Sequence, residues 1–292
     1  MSRRKKTGIT ILISILVCLI GLLGSFAGSL RYGMRDKAIK VLATEWELSQ
    51  MQITKIADRM SMAQFFVVMV QTPGIEEEGA VNLLDAEYTR DFIAVKIRDY
   101  RDDLLKKNGK GYINFGDISR LVEENRDAVW HDLQYNVTSA DMERYETLWD
   151  NLGLEDRFIL EIYRNDRPGV FGFIRVILSG WFLALVALLI IGAGIGLWFL
   201  NGHSVRRHRI YGMALLILGM MDCVAAVSCG WMAGAVNRIV DMRSNVMELF
   251  FSPVSHMLLS LGLISALLGV IMIVLSIMAK KRVRRKRRVR RP

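Results

Sequence analysis

Four apolar runs, each long enough to cross a membrane, limit what this chain can fold into. They occupy residues 9–30, 176–200, 210–236 and 256–279 of a 292-residue sequence. A helix needs about 20 predominantly apolar residues to cross a hydrocarbon core roughly 30 Å thick. A soluble domain does not concentrate a 52% hydrophobic content into such blocks. We therefore predict an all-α fold, a four-span transmembrane helix bundle with a helical extracytoplasmic domain inserted between spans 1 and 2.

The distribution of lysine and arginine predicts the orientation of these spans. Seventeen of them lie in residues 1–8, 201–209 and 280–292, which contain no acidic residue. Residues 31–175 instead hold twenty basic and twenty-six acidic side chains, and residues 237–255 hold two of each. Because short cytoplasmic segments are enriched in Lys and Arg, we predict cytoplasmic tails at 1–8 and 280–292 and a cytoplasmic loop at 201–209. Residues 31–175 and 237–255 are then extracytoplasmic.

The first apolar run has a second interpretation, as a cleaved signal peptide. A basic start precedes it, and Ser25-Phe26-Ala27 is a tolerable small-x-small cleavage site. We favour a retained span, because the run outlasts a typical signal-peptide core and a helical pattern continues from Trp46 onward. Cleavage would leave three spans, and the remaining loops and the C-terminal tail would keep their predicted sides of the membrane.

Beyond the first span, ten regularly spaced positions predict an amphipathic helix that continues from the membrane. They recur at steps of three and four, as in a heptad seam. A single helix over residues 8–70 would be roughly 90 Å long. Gly28, Gly33 and the charges around Arg31 offer the alternative of a break at the membrane surface. The ten positions are Ile39, Leu42, Trp46, Ser49, Ile53, Ile56, Met60, Ala63, Val67 and Val70.

Further helices are predicted in the rest of the outer domain. One runs from near Asn82 to Lys107, and one starts with Asp117 as its N-cap and ends near Asn136. Thr138 to Asp141 resembles a capping box that begins another, which closes at Leu152-Gly153. Residues 158–163 fit either a short helix or a strand, and Pro168-Gly169 predicts a turn. The domain is therefore expected to be a bundle of about four helices.

Asp222 is the sharpest candidate for chemistry, since it lies near the middle of the third span. A charge at that depth costs about 3 kcal/mol by insertion scales, so the side chain should face the protein interior. One hypothesis is a carboxyl that handles protons or cations. The alternative is a protonated or hydrogen-bonded residue that holds helices together, with Ser260 or Ser265 as its partner.

Small residues four apart predict close contact between helix backbones in the spans. Such spacing lets helices approach closely in lipid, and we expect its use in packing within the bundle rather than in self-association. The positions are Gly24 and Gly28, Gly192 and Gly196, Gly230 and Gly234, with Gly262 and Ala266 as a weaker example.

The basic C-terminal tail is predicted to lie against the cytoplasmic membrane surface. A stop-transfer and orientation role is the simpler interpretation, and binding of anionic lipid headgroups at roughly 1 kcal/mol per cation is the alternative. A nucleic-acid partner is not expected, because the last span ends just before the tail and no aromatic residue interrupts its charges. The first cations of the tail are Lys280, Lys281, Arg282, Arg284 and Arg285.

Nothing in the sequence predicts an enzyme, a cofactor or a metal site. Cys18, Cys223 and Cys229 all fall inside spans, so no disulfide framework is expected in the outer domain. A phosphate-binding loop, a nucleophile elbow or clustered histidines would indicate a site for chemistry. The loop and the elbow are absent from the sequence, and the histidines are scattered at His131, His203, His208 and His256.

Two classes of function remain. The first is a non-enzymatic sensor, adaptor or assembly subunit, whose outer domain binds a ligand or another membrane or extracytoplasmic protein. The second is a transport component that uses Asp222. One span, a large outer domain and three further spans resemble the permeases of the FtsX and macrolide-exporter kind in topology alone. Residues 201–209 are too short and basic for the coupling segment of those permeases. The absence of outer cysteines and the short tails favour a bacterial plasma membrane.

Overall fold

In the part of the chain that the structure describes, helices dominate and three short strands form a sheet. The computed structural model describes residues 3–53, 60–106, 111–151, 153, 168–200, 204–240, 242–243 and 245–289. Helices hold 87% of these residues, so the fold class is all-α as predicted. The helices are α1 (Arg3–Gly33), α2 (Asp36–Glu45), α3 (Met62–Val70), α4 (Glu77–Asp85), α5 (Glu87–Lys106), α6 (Phe115–Glu124), α7 (Arg126–Leu133), α8 (Ser139–Asn151), α9 (Pro168–Leu178), α10 (Gly180–Leu200), α11 (Ser204–Val240) and α12 (Val246–Val289); the strands are β1 (Gln52–Ile53), β2 (Met60–Ser61) and β3 (Met242–Arg243).

Four helical stretches are long and apolar enough to cross a membrane, which confirms the predicted number of spans. They are Lys6–Gly33, Gly180–Leu200, His208–Ala235 and Val246–Lys281. The second stretch starts later than the predicted residue 176, because the chain leaves the helix at Ser179. The Ser179 hydroxyl donates to the Val176 carbonyl and accepts from the Phe182 amide, so it caps α10.

The chain divides into two compact units. Unit 1 comprises residues 1–32, 176–230 and 253–292, and unit 2 comprises residues 33–175 and 231–252. Unit 1 therefore contains nearly all of the apolar stretches. Unit 2 contains the acidic segment after span 1, together with the connection between α11 and α12.

In unit 1, α11 and α12 are antiparallel and meet along a row of small residues. A Cβ placed on Gly212 would lie 2.7 Å from the Gly269 carbonyl oxygen, and one on Gly219 would lie 2.5 Å from the Gly262 carbonyl oxygen. The hydroxyl of Ser255 donates to the carbonyl of Ala226, 3.0 Å away. Positions on each helix are seven residues apart, which is the spacing of a left-handed helix pair. We call this row the small-residue seam.

The predicted long helix that continues from span 1 is wrong. The first helix ends at Gly33, one of the two alternative break points, and α2 begins at Asp36 after an extended Arg35. Trp46, with φ −71° and ψ 119°, ends α2. Four apolar positions of the predicted seam, Ile39, Leu42, Ala63 and Val70, are buried, but they lie on separate elements instead of one helix. Ile56 lies outside the described residues. Ile39 and Leu42 lie on α2, Met60 lies in β2, and Ala63, Val67 and Val70 lie on α3.

Among the described residues of unit 2, two apolar clusters form the core. Ile39 and Ala43 of α2 pack against Ala94 of α5, with Ile93 and Ile97 beside them. The other cluster brings together four buried residues of α3, the loop after it and α7, surrounded by residues from further helices. Those four are Val70, Ile75, Val129 and Leu133. Because several short helices contribute to the core, no single amphipathic pattern in the sequence describes it.

The outer helices are shorter and more numerous than the four expected. Residues 82–107 hold the end of α4 and all of α5, since Ala86 is extended with ψ 148°. The N-cap of α6 is Asn114, and Asp117 is instead the third residue of its capping box. The capping box of α8 is confirmed: the Asp141 amide donates to the Thr138 hydroxyl and the Thr138 amide donates to the Asp141 carboxylate. Pro168 begins α9 rather than a turn. The prediction for residues 158–163 lies outside the described residues.

A three-stranded antiparallel sheet joins the connection between α11 and α12 to the rest of unit 2. The strand order is β2-β1-β3, with Gln52 opposite Ser61 on one side and Arg243 on the other. The side chain of Asn245 donates to the Glu45 carbonyl and accepts from the Glu47 amide, at 2.9 and 3.3 Å. Most described residues of the predicted loop 237–255 are thus helical, and residues 242–243 and 245 are its described residues outside helices.

Candidate functional site

Asp222 lies inside unit 1 and is fully buried, as the cost of an exposed charge at that depth predicts. It stands on α11 between Gly219 and Ala226, two positions of the small-residue seam. Its partner is neither Ser260 nor Ser265, the two partners predicted. The hydroxyl of Ser25 on α1 donates to Oδ2 of Asp222 across 3.1 Å. Ser260 instead donates to the carbonyl of His256 on its own helix.

The Ser25–Asp222 bond belongs to a parallel contact between α1 and α11. The thiol of Cys18 contacts the Ala214 carbonyl at 3.4 Å, two turns before Ser25. Between these two contacts, a Cβ on Gly21 would lie 2.9 Å from the side chain of Leu218. The steps of three and four residues on both helices keep one face of α1 against one face of α11. The carboxyl therefore fixes the register of span 1 against span 3.

Two polar atoms near this bond are buried without a hydrogen-bond partner among the residues that the structure describes. They are Oδ1 of Asp222 and the hydroxyl of Ser29, one helical turn beyond Ser25 on α1. Both residues have 0% exposure. A carboxyl with one satisfied oxygen and one free oxygen can accept a proton, or bind a water molecule or a small cation. Asp222 and Ser25 thus form an intramembrane polar pair, and Ser29 lies one helical turn further along α1.

Only one of the six glycines predicted to pack helices lies at a close contact. A Cβ on Gly24 would lie 2.6 Å from Val186 of α10, so α1 and α10 approach each other there. The structure corrects the prediction for the other five, where no described atom beyond the adjacent backbone of their own helix lies within 4 Å of that position: Gly28, Gly192, Gly196, Gly230 and Gly234. The close contacts between α11 and α12 instead follow a spacing of seven residues along each helix. Gly262 and Ala266 lie in that seam, so the weaker example is confirmed.

A second cluster of interest lies in unit 2 on the last turns of α5. The guanidinium of Arg101 donates to the carbonyl of Met34, which follows α1, at 3.0 Å, and to Asp36 at the start of α2. Three residues later, the Leu104 carbonyl accepts from Nε of Arg175 on α9, at 3.0 Å. We call Arg101 and the Leu104 carbonyl the α5 clamp. One turn of a single helix therefore holds the chain where it leaves α1 and where it approaches α10.

Electrostatic attraction between Arg101 and two carboxylates stabilises the contacts of the α5 clamp. Hydrogen bonding to Arg101, together with its positive charge, lowers the pKa of Asp36 below its ordinary value. The Arg101 side chain is only 18% exposed, and a second carboxylate, that of Asp102, accepts from its Nε at 2.8 Å. An arginine that donates to a main-chain carbonyl beyond a helix C-terminus also satisfies a group that the helix leaves unpaired. The sequence pattern did not predict this role of Arg101, because its partners Met34 and Asp36 lie 67 and 65 residues away along the chain.

The other predicted site residues are not brought together. Among the described residues, no group of three or more His, Cys, Asp or Glu side chains is close enough to hold a metal ion. His131 is exposed beside Asp132, His256 is exposed on α12, and His203 lies outside the described residues. Lys280 and Lys281 are exposed at the end of α12. The side chains of Arg282, Arg284 and Arg285 lie outside the described part.

Comparison with protein-family models, with curated protein sequences and with solved structures finds no match to this chain.

Proposed function

We propose that this chain is a non-enzymatic multi-pass membrane protein that acts as a sensor, an adaptor or an assembly subunit. Its helical outer domain binds a ligand or another membrane or extracytoplasmic protein, and the helices that leave this domain transmit the binding or anchor it. The α5 clamp is the observation that carries this proposal. A shift of α5 by a bound partner would act on Met34 and on Arg175 together, and through them on both chain connections to the apolar helices.

The distribution of charge supports the proposed orientation, with both termini cytoplasmic in a bacterial plasma membrane. The seventeen cations without acidic neighbours all lie in the sequence of unit 1, at its helix ends. In unit 1, the guanidinium of Arg206 on α11 donates to the hydroxyl of Thr7 on α1 at 3.2 Å, so two of the basic segments meet. Residues 231–252 join residues 33–175 in unit 2, as segments on the same side of a membrane can.

The transmission step is tested by hydrogen exchange on the full chain in nanodiscs. In Arg101→Gln, amides of residues 34–38 should lose protection, because the Met34 carbonyl and Asp36 lose their donor. If α5 couples the two connections, residues 172–178 should lose protection as well. Arg98→Gln is the matched control, since Arg98 lies on the same helix but approaches Asp36 only at 4.0 Å. A change confined to residues 34–38, or equal changes in both variants, would refute coupling through α5.

Binding by the outer domain is tested by photocrosslinking in intact cells. A crosslinking side chain at Trp130, which is 54% exposed on α7, should give a discrete protein adduct. The same side chain at Trp181, 88% exposed on α10, should give lipid adducts instead. Absence of a protein adduct from Trp130 and from further exposed positions of unit 2 would contradict the proposal.

Transport remains a second candidate function, because Oδ1 of Asp222 has no hydrogen-bond partner among the described residues. Proton and solute flux into liposomes should be the same for the wild-type chain and for Asp222→Asn if the protein is an adaptor. Asparagine keeps an oxygen that accepts from Ser25, so this variant should fold. Flux that depends on Asp222 would replace the adaptor proposal with the transport one.

A further inference from the structure

An open groove of about 470 Å³ lies on unit 1 between α10 and α11. This volume is within the range of about 300–1,000 Å³ typical of ligand sites. The hydroxyl of Tyr211 donates to the carbonyl of Gly194, so the main polar groups of the groove already satisfy each other. What remains available is apolar and aromatic surface. The groove is lined by Ile191, Gly194, Ile195, Trp198, Phe199 and Tyr211.

The groove lies near the basic end of unit 1. The contact between Gly194 and Tyr211 shows that α10 and α11 are adjacent there, and Trp198 and Phe199 are the last residues before α10 ends at Leu200. On α11, the exposed Arg206 and Arg209 come five and two residues before Tyr211. Arg206 also meets Thr7 of α1, next to the exposed Lys6. Exposed cations of α1 and α11 therefore lie at the same end of unit 1 as Trp198, Phe199 and Tyr211.

No acidic side chain balances these cations within unit 1. Asp222 is the one Asp or Glu in the sequence of unit 1, and it lies eleven residues along α11 from Tyr211, or roughly 16 Å at 1.5 Å per residue. It is fully buried and paired with Ser25. The cations are therefore available to an anion from outside the chain.

We propose that this groove binds an acyl chain of an anionic phospholipid, whose headgroup phosphate is held by Arg206 and Arg209. The apolar lining suits a hydrocarbon chain, and the groove opens on a surface made of helices long enough to span a membrane. Basic pockets between membrane helices on the cytoplasmic side are known to select anionic headgroups. Tryptophan and tyrosine side chains, here Trp198 and Tyr211, favour the level where headgroups begin. A free phosphate ion would use the arginines but not the groove.

Native mass spectrometry of the full chain, released from mixed micelles, tests the proposal. The probes are phosphatidylglycerol, phosphatidylcholine with the same acyl chains, and inorganic phosphate. We expect phosphatidylglycerol to remain bound and the other two to be lost. Each arginine replaced by glutamine, in Arg206→Gln and Arg209→Gln, should weaken retention about five-fold. Equal retention of both lipids by the wild-type chain would overturn the proposal, and retention of inorganic phosphate alone would assign only an ion site.

A second pair of variants tests the groove itself. Gly194→Leu places a side chain in the groove, where a Cβ would lie 3.9 Å from the Tyr211 ring. Gly192→Leu is the matched control, because nothing lies within 4 Å of its Cβ position two residues away. Gly194→Leu should release the lipid while Gly192→Leu retains it, with both variants equally stable to heat. Equal lipid retention by the two variants would refute the groove as the site.

Discussion

The small-residue seam predicts that one methyl group on Gly219 will destabilise unit 1. A Cβ there would lie 2.5 Å from the Ala266 amide nitrogen and from the Gly262 carbonyl oxygen. Both are backbone atoms, so no side chain can rotate out of the way. Ordinary contacts begin at 3.4 Å, so α11 and α12 would have to separate by roughly 1 Å at this point.

The magnitude follows from two opposing effects. Overpacking of a tight contact costs about 1–3 kcal/mol, and alanine in a helix gains about 0.5–1 kcal/mol over glycine. Gly219→Ala should therefore lose about 1 kcal/mol of the free energy of unfolding, which is the difference between the midpoints of the two ranges. For a chain of this size each kcal/mol corresponds to about 2–4 °C in Tm. The matched control is Gly230→Ala on the same helix, which meets nothing within 4 Å and should keep or slightly raise the Tm.

The chain contains its own probe for this measurement. Cys18 and Cys229 are buried in unit 1, at 6% and 0% exposure, so a dye that fluoresces on reaction with thiols reports their release on heating. The dye is used with the full chain in a mild detergent. If Gly219→Ala has the same Tm as the wild-type chain or as Gly230→Ala, the close approach of α11 and α12 is refuted.

Three further predictions concern unit 2 and the topology. Gln71 ends α3 with φ 45°, a conformation that glycine adopts without strain. Gln71→Gly should therefore raise the free energy of unfolding of unit 2 by about 0.5–1 kcal/mol, measured as slower proteolysis. An unchanged or faster proteolysis would contradict this. Hydrogen bonds from Thr138 lower the folded-state pKa of Asp141. Its contribution to the free energy of unfolding is therefore complete above the unfolded pKa of about 3.9, and it is lost as pH falls through the lowered value. Asp141→Asn should make the loss of helical circular dichroism with acid less steep, and an identical pH profile would contradict this. In intact cells an impermeant maleimide should label Ser139→Cys but reach Lys281→Cys only after permeabilisation, and equal labelling would refute the orientation.

Local patterns predicted those parts of the fold that local physics decides. Four apolar stretches required four apolar helices, since no other structure satisfies the backbone of a single segment in lipid. The capping box of Thr138 and Asp141 could be predicted from the sequence because both partners lie within four residues. Burial of Asp222 followed from the cost of a charge at its depth. Each of these inferences needed only neighbouring residues and a solvent.

The misassigned parts depend on contacts between distant residues. Ser25 and Asp222 are 197 residues apart, and no spacing rule connects them. The long helix predicted after span 1 failed because its apolar positions pack against α5 and other elements, which a seam pattern cannot reveal. The seam of α11 and α12 left a visible signal in the seven-residue spacing of Gly212 and Gly219 and of Gly262 and Gly269.

The sequence by itself determined the fold class, the number of apolar helices and the separation of a basic set of segments from an acidic one. These properties depend on composition and periodicity, which act through the solvent on each segment alone. Tertiary structure decided which helices meet, which oxygen of Asp222 has a partner and which turn of α5 holds Met34 and Arg175. Those choices arise from the shapes of surfaces that touch only after the chain has folded.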